Sequence, residues 1–278
     1  MIEPWLDESP ARSALYDGRV LRRGVTEGSQ TLVALTQELL AATFSDVGPP
    51  RDAQQQMDPA EFFKRMGHVR KVLYLEPQFH RAMLKTVEAA GFTPSQYACD
   101  PVRLRIVAHN GHTEPRAAPV YYGHRDTWYG HSQSLMTWWV PLDDLSESET
   151  FVFYPDRFSS EVLNDSERFD YDEWVSKGWG LKIGWQDRDD GIKAEYPGPL
   201  GEVDGGPAVG FACRSGDNLL FSGAQYHQTL PQMSGRTRFS VDFRLVHLED
   251  HASKRGAPNV DNRSRGCALV DFVRLAEL

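Results

Sequence analysis

The sequence predicts an α+β protein in which helices come first and strands follow. Apolar residues recur at helical spacing in the first hundred positions, and about eight short strand-like segments with turn signals follow them. This order is typical of an antiparallel sandwich or open barrel that is backed by helices. Hydrophobic residues make up 40% of the chain and aromatic residues 11%, which is enough for a sizeable core. A length of 278 residues allows one large domain or two small ones.

Three helices are predicted in the first part of the chain. Residues 1–26 are polar with scattered apolar positions, and we expect them to lie on the surface as an arm. Leucines at helical spacing predict an amphipathic helix over residues 27–44. Asp58 followed by Pro59 has the pattern of an N-cap with proline at the first helical position, and Pro77 begins another helix. None of these helices shows a catalytic pattern, so we expect them to cover one face of a sheet.

The strands are expected to begin near residue 102. Those with clear bounds are predicted at residues 102–107, 132–142, 150–154, 208–212, 218–221 and 237–245, and a further short strand is predicted around His124 and Asp126. Between them, residues 156–207 lose the alternation and contain three tryptophans and many acidic residues. Irregular insertions of this length usually serve function, so we expect a lid over the substrate here. The apolar segment 268–278 is expected to dock back as a helix.

Composition argues against several classes of function. The formal charge of −9 and the pI near 5.5 disfavour a nucleic-acid or membrane-surface binder, because phosphate contacts require clustered lysine and arginine. No secretory signal and no apolar run of about 18 residues are visible in the sequence. The three cysteines are odd in number and not in metal-type spacing, which suits a reducing cytoplasm. We therefore expect a cytoplasmic enzyme with a small-molecule substrate, and the oligomeric state is left open.

The residues around which the chain is organised are His124 and Asp126. In an extended strand, side chains two positions apart leave the same face, so an imidazole and a carboxylate would point to one place. These are two of the three ligands of a 2-His-1-carboxylate facial triad. Short pairs of this kind also occur by chance in solvated turns, so a third ligand is needed to support a metal site.

His227 is the candidate for the third ligand. It precedes a loop with proline and glycine and then a strongly alternating strand. One face of that strand carries Thr237, Phe239, Val241, Phe243 and Leu245, and the other carries Arg238, Ser240, Asp242 and Arg244. Because so clean an apolar face fixes the register, Arg238 and Ser240 should point together into the space that the sheet encloses.

Together these positions resemble the signature of the Fe(II)/2-oxoglutarate-dependent oxygenases. The resemblance rests on His124-x-Asp126, about one hundred residues, His227, ten residues, and Arg238-x-Ser240, and it covers residues 100–247. The long gap between the two histidines resembles the phytanoyl-CoA-hydroxylase-like branch. The resemblance implies a double-stranded β-helix, a jelly-roll or cupin-like core, within a single oxygenase domain. Its implied parts are a helical cover at 1–100, first strands at 101–155, the insertion at 156–207, distal strands at 208–247 and a tail at 248–278.

The resemblance also implies roles for individual residues. The catalytic iron ligands would be His124, Asp126 and His227. Arg238 and Ser240 would hold the distal carboxylate of the cosubstrate 2-oxoglutarate, with O2 as the second cosubstrate. Arg236 and Arg244 compete with Arg238 as the anchor. The candidate substrate contacts are Trp128, Tyr129, Gln133 and Arg244.

The expected reaction is hydroxylation of an unactivated C–H bond in a small polar metabolite, with decarboxylation of 2-oxoglutarate to succinate. Desaturation, cyclisation and epimerisation stay open, as does the stereochemistry. Two functions of other classes also fit the ligands, namely a cupin-like binding module without turnover and a zinc-dependent hydrolase or isomerase. Only the oxygenase gives Arg238 and Ser240 a shared task.

Overall fold

The computed structural model of the chain describes residues 1–114, 117–177 and 196–278. The strands are β1 (Ile2–Pro4), β2 (Val20–Arg23), β3 (Tyr97–Cys99), β4 (Arg103–Val107), β5 (Leu135–Pro141), β6 (Phe151–Phe153), β7 (Asn218–Ser222), β8 (His227–Thr229), β9 (Arg238–His247) and β10 (Val273–Arg274). The helices are α1 (Glu8–Tyr16), α2 (Glu27–Thr43), α3 (Pro59–Leu75), α4 (Pro77–Ala89), α5 (Tyr171–Ser176) and α6 (Leu248–Ala252). None of the helices described is long and apolar enough to span a membrane.

Eight strands form one large sheet that is antiparallel except where β1 pairs with β2. The strand order is β1-β2-β7-β5-β9-β3-β10, and β4 pairs with the first half of β9. A second, two-stranded sheet joins β6 to β8. Isolated bridges extend the small sheet on both sides, from Phe153 to Val209 and from His227 to His124. The predicted mixture of helices with a mainly antiparallel sheet is confirmed, while the double-stranded β-helix stays a prediction.

Strand β9 is the centre of the large sheet, and all ten of its residues are buried. Its apolar face, with Phe239, Val241 and Phe243, packs into the core that the sheet shares with α2, α3 and α4. Its polar face, with Arg238 and Arg244, lines a cavity on the other side. The alternation predicted for this strand is therefore confirmed.

The three predicted helices are present, and their first turns explain where they begin. The Thr26 hydroxyl accepts a hydrogen bond from the Ser29 amide (3.1 Å) at the start of α2, and the Asp58 carboxylate accepts one from the Ala60 amide (2.8 Å) at the start of α3. Helices α2 and α4 pack closely together because a glycine stands at position 28. A Cβ there would lie 2.3 Å from the Thr86 nitrogen.

Two terminal segments differ from the expectation. Residues 1–26 are not a surface arm, because they form β1, α1 and β2, and Leu15, Val20 and Leu21 are fully buried. Residues 268–278 form short 3₁₀ turns around β10, which pairs with β3, and not a helix. The individual elements in these segments are only two to nine residues long, too short for a clear periodic pattern, so their places depend on pairing with distant strands.

The strand predicted at residues 208–212 is reduced to the bridge at Val209. Within the insertion at 156–207, the described residues form α5, short 3₁₀ turns and irregular loops. Its remaining part, with Trp179 and Trp185, lies outside the described residues. The lid and the domain divisions stay predictions.

Candidate metal and cosubstrate site

The side chains of His124, Asp126 and His227 converge in the cavity. Each offers one ligand atom, and these atoms lie within 4.8 Å of one another. His124 Nε2 is 3.8 Å from Asp126 Oδ1, and the two imidazole centroids are 4.4 Å apart. The backbones hold the histidines side by side, because His124 and His227 exchange two amide-to-carbonyl hydrogen bonds of 3.0 Å. The structure thus brings the three predicted ligands together.

The local backbone differs from the predicted strand. Arg125 is extended (φ −113°, ψ 137°), but Asp126 begins a 3₁₀ turn that runs to Tyr129. One extended residue is enough to put the side chains on either side of it together and its own side chain opposite. Arg125 accordingly enters the core, where its Nε donates to Asp261 Oδ2 (2.9 Å) and its Nη1 donates to the Ala224 carbonyl (2.5 Å).

Hydrogen bonds orient each ligand. His124 Nδ1 lies 3.0 Å from the Tyr122 carbonyl, and His227 Nδ1 lies 3.0 Å from the Gln225 carbonyl. Since a carbonyl only accepts, both Nδ1 atoms carry the proton and both Nε2 lone pairs are available to a metal. Asp126 Oδ2 accepts a hydrogen bond from the Thr137 hydroxyl (2.6 Å), which leaves Oδ1 available.

The charges of the three groups suit a divalent cation. Burial, reinforced by His227, lowers the pKa of His124 to about 4, and burial also lowers the pKa of His227. Burial alone would raise the pKa of Asp126, but Arg244 and the two imidazoles hold it well below its usual range. Two neutral imidazoles and one carboxylate anion fit Fe(II), and they also fit zinc.

Arg238 lines the same cavity. It is 3% exposed, and its Nε and Nη1 atoms have no hydrogen-bond partner among the described residues. Its guanidinium carbon lies 5.9 Å from the ring centroid of Trp139. Burial lowers the pKa of Arg238 to about 10, so it is still charged at neutral pH. A buried cation without a partner is costly, and an anion in the cavity would relieve that cost.

The other proposed anchor residues are placed differently. Ser240 is fully buried and does not belong to the cavity wall as described, and its Oγ accepts a hydrogen bond from Trp139 Nε1 (2.9 Å). Arg236 lies away from the described cavity wall, because its half-exposed side chain pairs with Asp52 (3.0 Å). Arg244 lines the cavity and is engaged, with Nη1 3.0 Å from Asp100 Oδ2.

Of the other predicted substrate contacts, only Tyr129 lines the described cavity, with its ring 5.6 Å from that of His124. Trp128 is fully buried, and its indole donates to Asp261 Oδ1 (2.8 Å). Gln133 lies away from the described wall, and its backbone carbonyl accepts a hydrogen bond from the Ala257 amide (2.9 Å). Trp128 and Gln133 are thus absent from the described wall, and their contact with substrate stays a prediction.

Three residues at or near the site are not predicted from the sequence: Thr137, Asp261 and Arg70. Thr137 could have been found, because it lies on a predicted strand face together with Trp139. Asp261 lies in a turn-rich tail that shows no pattern. Arg70 is one arginine among several charged residues on α3, and the sequence does not reveal that it faces the cavity.

No family model matches the chain, and no curated protein matches it by sequence. Among solved structures, it is similar to EvdO2 from Micromonospora carbonacea var. aurantiaca, with 12% identity, a TM-score of 0.48 and coverage of 89% of this chain and 94% of that chain. The structure of the same protein complexed with 2-oxoglutarate has 13% identity, a TM-score of 0.47 and coverage of 89% of this chain and 94% of that chain. A third structure is SnoN, a non-heme alpha ketoglutarate dependent epimerase from nogalamycin biosynthesis. It has 13% identity, a TM-score of 0.42 and coverage of 96% of this chain and 99% of that chain. Such low identities and TM-scores below 0.5 establish no shared activity, so the site is interpreted from its own residues.

Proposed function

We propose that the protein is a non-haem Fe(II)- and 2-oxoglutarate-dependent oxygenase that hydroxylates an unactivated C–H bond of a small polar metabolite. One observation carries the proposal: a single cavity contains the donor set of His124, Asp126 and His227 and the buried, unpartnered guanidinium of Arg238. A metal-dependent hydrolase needs only the three metal ligands. A metal-bound cosubstrate with a second, free carboxylate gives a task to the ligands and to the Arg238 guanidinium. The jelly-roll core and the phytanoyl-CoA-hydroxylase-like branch belong to the same proposal.

In this proposal, His124, Asp126 and His227 hold Fe(II), and Arg238 binds the distal carboxylate of 2-oxoglutarate. A guanidinium can pair with a carboxylate through two parallel hydrogen bonds. Ser240 supports this region through its hydrogen bond with the Trp139 indole. When bound, Fe(II), 2-oxoglutarate and O2 supply the oxidising power that side chains lack, with release of succinate and CO2.

The chain's own residues set the conditions for that chemistry. The carbonyls of Tyr122 and Gln225 fix the histidine tautomers. Thr137 and Arg244 keep Asp126 ionised. Apolar rings beside the ligands exclude water, and those that line the described wall include Phe151 and Phe221. A low-dielectric surrounding strengthens each of these polar contacts.

Anaerobic addition of Fe(II) and 2-oxoglutarate should produce a weak visible charge-transfer band, and admission of air should yield succinate even without substrate. Asp126→Ala is expected to abolish the band, because the carboxylate ligand is lost. Asp7→Ala, which alters an exposed carboxylate at the start of α1, is the control and should keep it. Absence of the band and of succinate from the wild-type protein would reject the oxygenase in favour of a zinc enzyme or a binding module.

A further inference from the structure

Besides Arg238, the cavity wall contains an arginine, Arg70, that neither the metal nor the cosubstrate requires. Arg70 lies on α3 and lines the cavity together with Tyr74, one helical turn later. Helix α3 packs against β4, which contributes Arg103 and Arg105 to the same wall. Arg70 makes no hydrogen bond or ion pair with any residue in the described parts of the chain. It is therefore a cation at the cavity wall without a protein counter-charge among those residues.

None of the aspartates of the cavity wall supplies that counter-charge in the described structure, because each makes its contacts with other residues. The contacts are Asp100 with Arg244 (3.0 Å) and Arg103 (3.2 Å), Asp242 with Arg105 (2.6 Å), Asp271 with the Tyr171 hydroxyl (2.6 Å), and Asp126 with the Thr137 hydroxyl (2.6 Å). Breaking any of these to reach Arg70 would leave another buried polar group unsatisfied.

The total charge of the wall also indicates that one positive charge lacks a counter-charge. Among the described residues, five arginines and four aspartates line the cavity. A ferrous ion and a 2-oxoglutarate dianion would cancel each other, so one positive charge would be left. Burial, with a smaller contribution from the positive charge of Arg105, lowers the pKa of Arg70 to about 10. The guanidinium is still charged at neutral pH, and an anion would stabilise it.

We propose that Arg70 binds an anionic group of the substrate, either a carboxylate or a phosphate ester, and that the substrate is therefore an acidic small molecule. The inference rests on the proposed function for the identity of the cavity as an active site. Aromatic rings line the same wall and would contact the apolar part of such a molecule, among them Tyr74, Phe169, Tyr196 and Phe272.

The test uses defined probes, because the substrate is unidentified. Binding of 3-phenylpropanoate, phenyl phosphate and the neutral 3-phenylpropanamide is measured by calorimetry on the anaerobic protein loaded with Fe(II) and 2-oxoglutarate. Arg70→Gln should weaken binding of the preferred anion by roughly 10- to 100-fold, as expected for the loss of a charge-assisted hydrogen bond. It should leave the amide unaffected. Arg70→Lys should recover part of the affinity, and the exposed Lys71→Gln on the same helix is the matched control.

The outcomes separate this inference from the proposed function. If the charge-transfer band forms but neither anion binds better than the amide, or Arg70→Gln and Lys71→Gln behave alike, the subsite is overturned and the oxygenase stands. If the wild-type protein forms no band, the oxygenase fails, and the same titrations on the unloaded protein then decide whether Arg70 binds anions. A preference for phenyl phosphate over 3-phenylpropanoate, or the reverse, identifies the anionic group.

Discussion

Replacing Arg238 by methionine is expected to raise the melting temperature of the metal-free protein and to weaken its affinity for 2-oxoglutarate when Fe(II) is bound. In the metal-free protein, the guanidinium is buried with two nitrogens that lack a partner among the described residues. Removing such a group recovers roughly 1–3 kcal/mol. A protein of this size gains about 2 °C in melting temperature per kcal/mol, so Arg238→Met should melt roughly 2–6 °C higher.

The same change should weaken 2-oxoglutarate binding severely. Truncating one partner of a buried, hydrogen-bonded charge pair costs about 2–5 kcal/mol, which corresponds to a roughly 30- to 5000-fold loss of affinity. The assay is anaerobic calorimetric titration of 2-oxoglutarate into the Fe(II)-loaded protein, beside thermal melting of the metal-free protein. Because the Met side chain cannot replace the charge, added 2-oxoglutarate should no longer raise the melting temperature.

Arg236→Met is the matched control, since Arg236 lies two positions earlier but is half-exposed and paired with Asp52. An exposed pair of this kind contributes at most about 1 kcal/mol, so both measurements should stay near wild type. The reasoning is refuted if Arg238→Met melts lower while it keeps its 2-oxoglutarate affinity, or if Arg236→Met is the variant that loses it.

Three further changes test the surroundings of the site. Thr137→Val removes the hydroxyl that binds Asp126 and should weaken Fe(II) affinity about 10-fold in anaerobic titrations, whereas unchanged affinity would mean that this bond does not orient the ligand. Asp261→Asn leaves the buried Arg125 without its counter-charge and should lower the free energy of unfolding in urea by about 3–5 kcal/mol, and a loss below about 1 kcal/mol would contradict that role. Burial lowers the pKa of His124 from 6.5 to about 4, so the unfolded chain binds the proton more tightly. This group alone should therefore cost the metal-free protein roughly 3 kcal/mol of unfolding free energy as the pH falls from 6.5 to 4. Urea unfolding of His124→Gln should show a shallower pH dependence, and identical slopes would contradict the assignment.

Much of the fold could be predicted because its longer elements carry their information locally. The alternation of β9, with Phe239 and Val241 on one face, predicts its register. Asp58 is recognisable as the N-cap residue of α3. Short elements carry no such signal. Strand β2 has four residues, and its place in the sheet depends on pairing with β7, about two hundred positions later.

The candidate site was predictable in its ligands but not in their surroundings. Two histidines and an aspartate at characteristic spacing form a recognisable pattern, and the alternation of β9 gives the direction of Arg238. Burial of an arginine depends on carboxylates and carbonyls that are distant in sequence, so nothing local separates Arg125 in the core from Arg236 in solvent. The position of Arg70 on the same cavity wall as Arg238 likewise follows only from the three-dimensional structure.

Asp261 connects residues 248–278 to the segment that presents two of the three candidate metal ligands. Its carboxylate receives the Arg125 guanidinium, the Trp128 indole and the Val162 amide at once. A nascent polypeptide that has left the ribosome only as far as residue 260 would have Arg125 in place with no anion to meet it. Folding of the segment that carries His124 and Asp126 would therefore wait until Asp261 is available, and a chain truncated before residue 261 would leave the Arg125 guanidinium buried without a counter-charge.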